Sequence, residues 1–257
     1  MIIAEVGLNH LGDTGYADKY VQQLAASDVD GVTFQIREPE FYNNELNSRL
    51  LLPSDWYLEA SQTLKSAGKQ IGFGICSPDA IETACTVNAD FVKVLSWAIF
   101  EDDFMRQCYD RFPGHVFAST GTSDMADIIN YCKKWPSFVG RTTFIHTTLS
   151  NDIDAVELSA IRDLRDQLDV RNIAYGHHCE TPEVLYLALA FEPSDIFIYV
   201  IGAQNSVHPD QDHAIPTAQL VHLCARLREL PSAIGTGEKL RRKNEIAEKW
   251  HLQENDN

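Results

Sequence analysis

The sequence predicts a single-domain (β/α)8 barrel, the TIM-barrel architecture, over residues 1–240. Three observations carry that expectation. Eight short β-rich runs alternate with amphipathic stretches along the chain. Several of those runs are nearly continuous in apolar residues, the pattern of strands covered on both faces. The turn after the first run, LNHLGDTG, lacks the GxGxxG signature that an open doubly wound sheet would place there. A chain of 257 residues, 44% of them hydrophobic, is long enough to bury one such core.

In chain order the strand runs are IIAEVG (2–7), GVTFQI (31–36), QIGFGI (70–75), FVKVLS (91–96), HVFAST (115–120), TTFIHT (142–147), RNIAYG (171–176) and DIFIYVI (195–201). After the first run, YADKYVQQLAAS sets Tyr16, Tyr20, Val21 and Leu24 on one helical stripe. Before the seventh, DAVELSAIRDLRDQL does the same with Val156, Leu158, Ile161 and Leu164. The stretch 37–54, REPEFYNNELNSRLLLPS, reads as a long irregular loop on the catalytic side of the barrel. The end of the chain is polar, and 241–257 reads as a tail rather than a second domain.

Acidic residues outnumber basic ones 37 to 21, a formal charge of −16. Such a field repels phosphate backbones and anionic bilayers, so nucleic acid and membrane surfaces are excluded as partners. The opening MIIAEVGLNH is not patterned as a signal peptide, and no apolar run is long enough to span a bilayer. Six scattered cysteines without CxxC spacing read as buried thiols of a reduced, cytoplasmic protein.

Barrel chemistry sits at the C-terminal ends of the strands. Those ends carry Glu5, Asn9 and His10; Thr33, Gln35 and Arg37; Cys76 and Ser77; Lys93 and Ser96; Ser119 and Thr120; His146, Thr147 and Thr148; His177 and His178. The segment after the eighth adds Asn205, His208, Asp212 and His213. Hydroxyls, a lysine and imidazoles at one mouth suit a phosphorylated or polyhydroxylated small molecule. Lys93 lies within apolar FVKVLS, where an unpaired ammonium is expensive to bury. It is therefore paired with a carboxylate, or it serves as a cation for phosphate or carboxylate, or as a Schiff-base amine. Neighbouring side chains on a strand face opposite ways, so one of His177 and His178 enters the site. There it is either a ligand for Mn2+ or Zn2+ or a hydrogen-bonded loop histidine.

With these residues in view, a family resemblance emerges. IIAEVGLNHLGD resembles the opening of the sialic acid (N-acetylneuraminate) synthases, close to IAEIGINHNGD. FVKVLS, FASTGTSDMADI, IHTT and IGTGEK resemble further family segments, in unbroken order from residue 2 to about 240. The resemblance implies a transferase that condenses phosphoenolpyruvate with an N-acetylmannosamine-type amino sugar. It also implies a divalent metal, usually manganese, held by two histidines. Carried over, Glu5, Gln35 and Asp212 stand at catalytic, sugar-side positions. Ser77, Lys93, Ser96 and Ser119, with Asn9, are expected to bind substrate. His178 matches the first metal histidine, and His208 is the candidate second.

The departures from the family pattern are specific. Thr33 replaces a phosphate-binding lysine, Leu149 a polar contact, Ala98 a glutamate and Asn151 a tyrosine. Val200 and Ile201 replace a lysine and the second metal histidine. The family continues into an antifreeze-like domain that covers a neighbouring barrel; the expectation here is that this domain is absent. A homo-oligomer or complex, or the 37–54 loop, would then cover the mouth. Two other readings stay open: a barrel aldolase or lyase working through the amine of Lys93, and a non-catalytic barrel that binds sugar or phosphoenolpyruvate.

Overall fold

The computed structural model describes residues 1–202, 207–235 and 237–238. Asn205 and the tail expected at 241–257 lie outside the described residues. Eight parallel strands run in sequence order: β1 (Ile2–Gly7), β2 (Gly31–Ile36), β3 (Gln70–Ile75), β4 (Phe91–Val94), β5 (His115–Ser119), β6 (Thr142–His146), β7 (Ile173–His177) and β8 (Ile196–Ile201). Strand β8 pairs back onto β1, with Glu5 beside Tyr199, and this closes the barrel. A two-residue strand, β9 (Ile215–Pro216), pairs in parallel alongside the end of β8.

The helices α1 (Thr14–Ala25), α2 (Pro39–Tyr42), α3 (Glu45–Ser48), α4 (Ser54–Ser66), α5 (Pro78–Thr86), α6 (Asp102–Arg111), α7 (Met125–Lys134), α8 (Ala160–Leu168), α9 (Val184–Ala188) and α10 (Leu220–Glu229) fill the connections. Period-two alternation divides each strand between two cores. Ile3, Phe91, Phe117, Ile145, Ala174 and Phe197 pack inside the barrel. Val32, Val92, Val94, Val116 and Ala118 pack outward in the larger core that includes the helices. Phe34 shows the outer layer well, with ring contacts to Trp56 at 5.2 Å and Tyr57 at 6.2 Å on α4.

Two sequence expectations need correction. The predicted helix 154–168 begins only at Ala160, because Glu157 adopts φ 49° and interrupts the spiral. The stretch 37–54 is not irregular throughout but contains α2 and α3. It lies against the first strand's turn: a Cβ on Gly12, at φ +71°, would fall 1.6 Å from the Arg49 carbonyl oxygen. Only glycine permits that approach.

Candidate active site

The floor of the mouth is aromatic. Phe91, Phe117 and Phe197 meet edge to face inside the barrel, with centroids 5.3, 6.3 and 5.0 Å apart. Gly72 makes this possible, since a Cβ there would lie 2.1 Å from the Phe91 ring. One step further along the same inward faces sit Glu5 and Lys93. The Lys93 ammonium donates to both carboxylate oxygens, at 2.6 and 2.8 Å, and both side chains are almost fully buried. It also lies 5.3 Å from the Phe197 ring centroid and 5.4 Å from that of Tyr199. Charges so deep are tolerated because they are paired; removing either partner would strand the other.

A second carboxylate reaches this pair, and it is not the expected one. Asp212 is exposed on the turn, whereas Asp210, two residues earlier, folds inward. Its Oδ2 lies 3.0 Å from where a Cβ on Gly7 would stand, and Tyr199 crowds the same point at 2.9 Å. Gly7, at φ +57°, therefore opens the gap that Asp210 fills. Burial, and then the neighbouring charge of Glu5, push the Asp210 carboxyl up to about 7. Asp210 shares its motif, HPDQDH, with Asp212; alternation offers no guide within a turn, and so sequence reasoning missed it. Asn9, expected to bind substrate, also ties β8 to the turn: its amide donates to the Val200 carbonyl at 3.0 Å and accepts from the Asp210 N–H at 3.1 Å.

Of the paired histidines, His178 turns inward and His177 outward, where the Tyr175 hydroxyl lies 3.2 Å from His177 Nδ1. His178 lies face to face with His213, centroids 4.7 Å apart and planes at 20°, and edge-on to Tyr199. Burial first, then the Lys93 charge, lower His178 to about 2, and the same causes lower His213 to about 4. Both rings are neutral at pH 7. His208 does not join them; its Nε2 lies 2.8 Å from the Tyr16 hydroxyl beside α1.

This arrangement does not fit the two-histidine metal site that the resemblance implied. Imidazole lone pairs lie in the ring plane, and two nearly parallel rings in contact cannot aim at one ion. Ile201 offers no donor, and among the described residues no group of three or more His, Cys, Asp or Glu side chains could hold a metal ion.

Hydroxyls line the adjoining side. Ser96 Oγ donates to Ser119 Oγ at 3.1 Å and accepts from the Gly121 N–H at 3.1 Å. Ser77, immediately before α5, buries an Oγ that has no partner among the described residues. Gln35 lies along Gly74, its Cγ 3.6 Å from where a Cβ there would stand, and Thr33 is buried below it. Leu149 covers Gly121, reaching within 3.1 Å of the corresponding Cβ position. Ala98 is buried and apolar, and the Asn151 carbonyl accepts from the Glu180 N–H. Glu5, Lys93, Asp210, Tyr199 and the two stacked histidines thus form one group, with the serines beside it on β4 and β5.

Residues 19–239 match the model of the NeuB family. The chain belongs to that family. The NeuB-family chain is similar to the N,N'-diacetyllegionaminic acid synthase of Campylobacter jejuni, at 23% identity over 95% of this chain and 80% of that protein. The enzyme of the same name from Legionella pneumophila is 22% identical over 95% of this chain and 76% of its own length. Among solved structures, the N-acetylneuraminic acid synthetase of Leptospira borgpetersenii superposes with a TM-score of 0.85 at 19% identity. It covers 98% of this chain and 90% of that one, which shows the shared barrel fold.

Proposed function

We propose that this NeuB-family barrel is a sugar-acid synthase that joins phosphoenolpyruvate to the aldehyde of an N-acetylated amino sugar. The observation that carries the reading is the buried Glu5–Lys93 pair, with the linked hydroxyls of Ser96 and Ser119 at the ends of neighbouring strands. The Ser77 hydroxyl, which has no partner among the described residues, and the Ser119 hydroxyl, which accepts from Ser96, are the uncharged donors for phosphate and carboxylate oxygens, and Lys93 supplies the nearby positive charge. In the reaction, C3 of phosphoenolpyruvate attacks the aldehyde carbon and the aldehyde oxygen takes up a proton. Water then adds at C2, the C2–O bond to phosphate breaks, and inorganic phosphate leaves behind a 2-keto sugar acid.

The proton has a physical source. With His178 and His213 neutral rather than imidazolium, Asp210 is the inward carboxyl that keeps a proton up to about pH 7. We assign it as the acid toward the aldehyde oxygen, with Glu5 holding Lys93 in place. Manganese remains an expectation with a direct test: titrating Mn2+ by calorimetry should give weak binding that disappears in His178→Ala. Tight stoichiometric binding unaffected by that substitution would remove His178 from any metal site.

Exposed Trp97, Phe100, Leu149, Ile153 and Val207 all follow strand ends, and they support an oligomer or complex covering the mouth. The unpaired cysteines support a reducing, cytoplasmic setting. Against the alternative of an amine-based aldolase stand the two Glu5 contacts, which favour the ammonium form of Lys93 over the free amine. Borohydride with a keto acid should therefore leave Lys93 unmodified; covalent trapping there would replace the synthase reading.

A further inference from the structure

A substrate carrying phosphate and carboxylate needs positive charge, and this mouth has little. In the barrel strands the only Lys or Arg is Lys93, and it is already neutralised by Glu5 with Asp210 close by. The segments that follow the described strands contain two more, Arg37 and Arg49. Arg49 is exposed at the end of α3, whereas Arg37 is held. Its guanidinium carbon lies 4.2 Å from the Phe41 ring centroid and 5.1 Å from that of Trp97, which fixes the plane of the fork. Trp97 follows β4, so Arg37, at the end of β2, reaches toward the top of the neighbouring strands. It continues the alternation of Thr33 and Gln35 on the inward face of β2.

The fork is already filled. Arg37 Nε and one terminal nitrogen donate to the two oxygens of Glu38, both at 2.9 Å, the geometry in which arginine takes a carboxylate or phosphate. Glu38 is the next residue, so its own backbone imposes no distant structural purpose on the pair, and its side chain is a third exposed. The Cys76 thiol, just after β3, donates to Glu38 at 3.0 Å and steadies it at the mouth. The hydrogen bond from Arg37 holds the Glu38 carboxyl down to about 2, so it is ionised at any working pH.

We propose that Arg37 is an anion-receiving residue of the mouth, and that Glu38 is its built-in occupant, displaced when the anionic end of the substrate arrives. The inference rests on the proposed use of an anionic substrate, but it concerns residues which that reading does not require. A two-oxygen anion, carboxylate or phosphate, takes the place of Glu38 on the fork. Glu38 turns outward into solvent, so the resting site keeps a satisfied arginine and charge selectivity at once.

Calorimetric titration of the intact chain with phosphoenolpyruvate, and separately with inorganic phosphate and with pyruvate, tests this. Glu38→Gln should tighten phosphoenolpyruvate several-fold by freeing the fork. Arg37→Ala should weaken it about tenfold or more, and Arg37→Lys should fall between because it lacks the fork. Whichever of phosphate and pyruvate follows the same order identifies the group received. Thermal melts of each variant serve as the folding control. If phosphoenolpyruvate binds wild type, Arg37→Ala and Glu38→Gln equally, the proposal is overturned and the synthase reading stands. If wild type and Glu38→Gln both bind none of the three ligands, both fail.

Discussion

At Lys93 and Asp210 the energetics and the chemistry coincide. Lys93→Met would leave Glu5 buried without its partner, costing about 3–5 kcal/mol by comparison with other buried pairs. The double variant Glu5→Gln/Lys93→Met should recover part of that loss, and urea unfolding of the three proteins checks it. Asp210→Asn keeps the shape but removes the acid, and should lower kcat/KM by about a hundredfold. The pH dependence has a definite sign. A carboxylic acid that titrates near 7 is a proton donor below that value, so the rate should fall as pH rises through about 7. That limb should vanish in Asp210→Asn. Sequence reasoning singled out Lys93 because an ammonium within an apolar strand needs a partner; Glu5 and His178 came from the family resemblance, alternation saying only that one of His177 and His178 faces inward. It did not reach Asp210, because a turn has no period and the two aspartates of HPDQDH are equivalent until the backbone places one of them inside. His208, named with His178 for a metal, sits against Tyr16 on α1, a contact between residues 192 positions apart that no local pattern announces.

Among the elements, all eight strands were legible, since fully covered parallel strands are written as apolar runs bounded by turn residues. The errors lie at ends and interruptions. The runs predicted to 96, 120 and 147 stop at Val94, Ser119 and His146, where the backbone leaves the ladder to present Ser96, Thr120 and Thr147. Glu157 at φ 49° delays α8, and Asp169 at φ 49° ends it, positions that composition alone does not announce. Asp169→Gly should therefore stabilise the protein by about 1 kcal/mol, because glycine occupies the left-handed region without a Cβ penalty. A thermal melt would show it, and a lower melting temperature would mean that Asp169 makes a compensating contact. Gly12→Ala should do the reverse and more, since its Cβ would strike the Arg49 carbonyl. Faster proteolysis within 37–53 would report the released segment.

Across the whole molecule, buried titratable groups shape how stability depends on pH. Among the described residues, His10, His115, His146, His177, His178 and His213 are lowered by burial and regain their ordinary values on unfolding. A depressed pKa contributes stability that is present above 6.5 and is lost as pH falls through the folded value. Asp210 acts oppositely, its contribution being present below 3.8 and lost as pH rises to about 7. Six groups outweigh one, so the urea midpoint should drop as pH falls from 6.5 to about 4. The proposed reaction requires a chain of net charge −16 to gather an anionic enol phosphate at a barrel mouth holding one buried lysine and two arginines near its rim. Its most direct test is inorganic phosphate release from phosphoenolpyruvate, measured across a panel of N-acetylated amino sugars, with and without Mn2+. Release should require both substrates, yield a 2-keto sugar acid and be lost in Lys93→Met. Phosphoenolpyruvate that binds yet releases no phosphate with any sugar of the panel would contradict it and leave a binding barrel in its place.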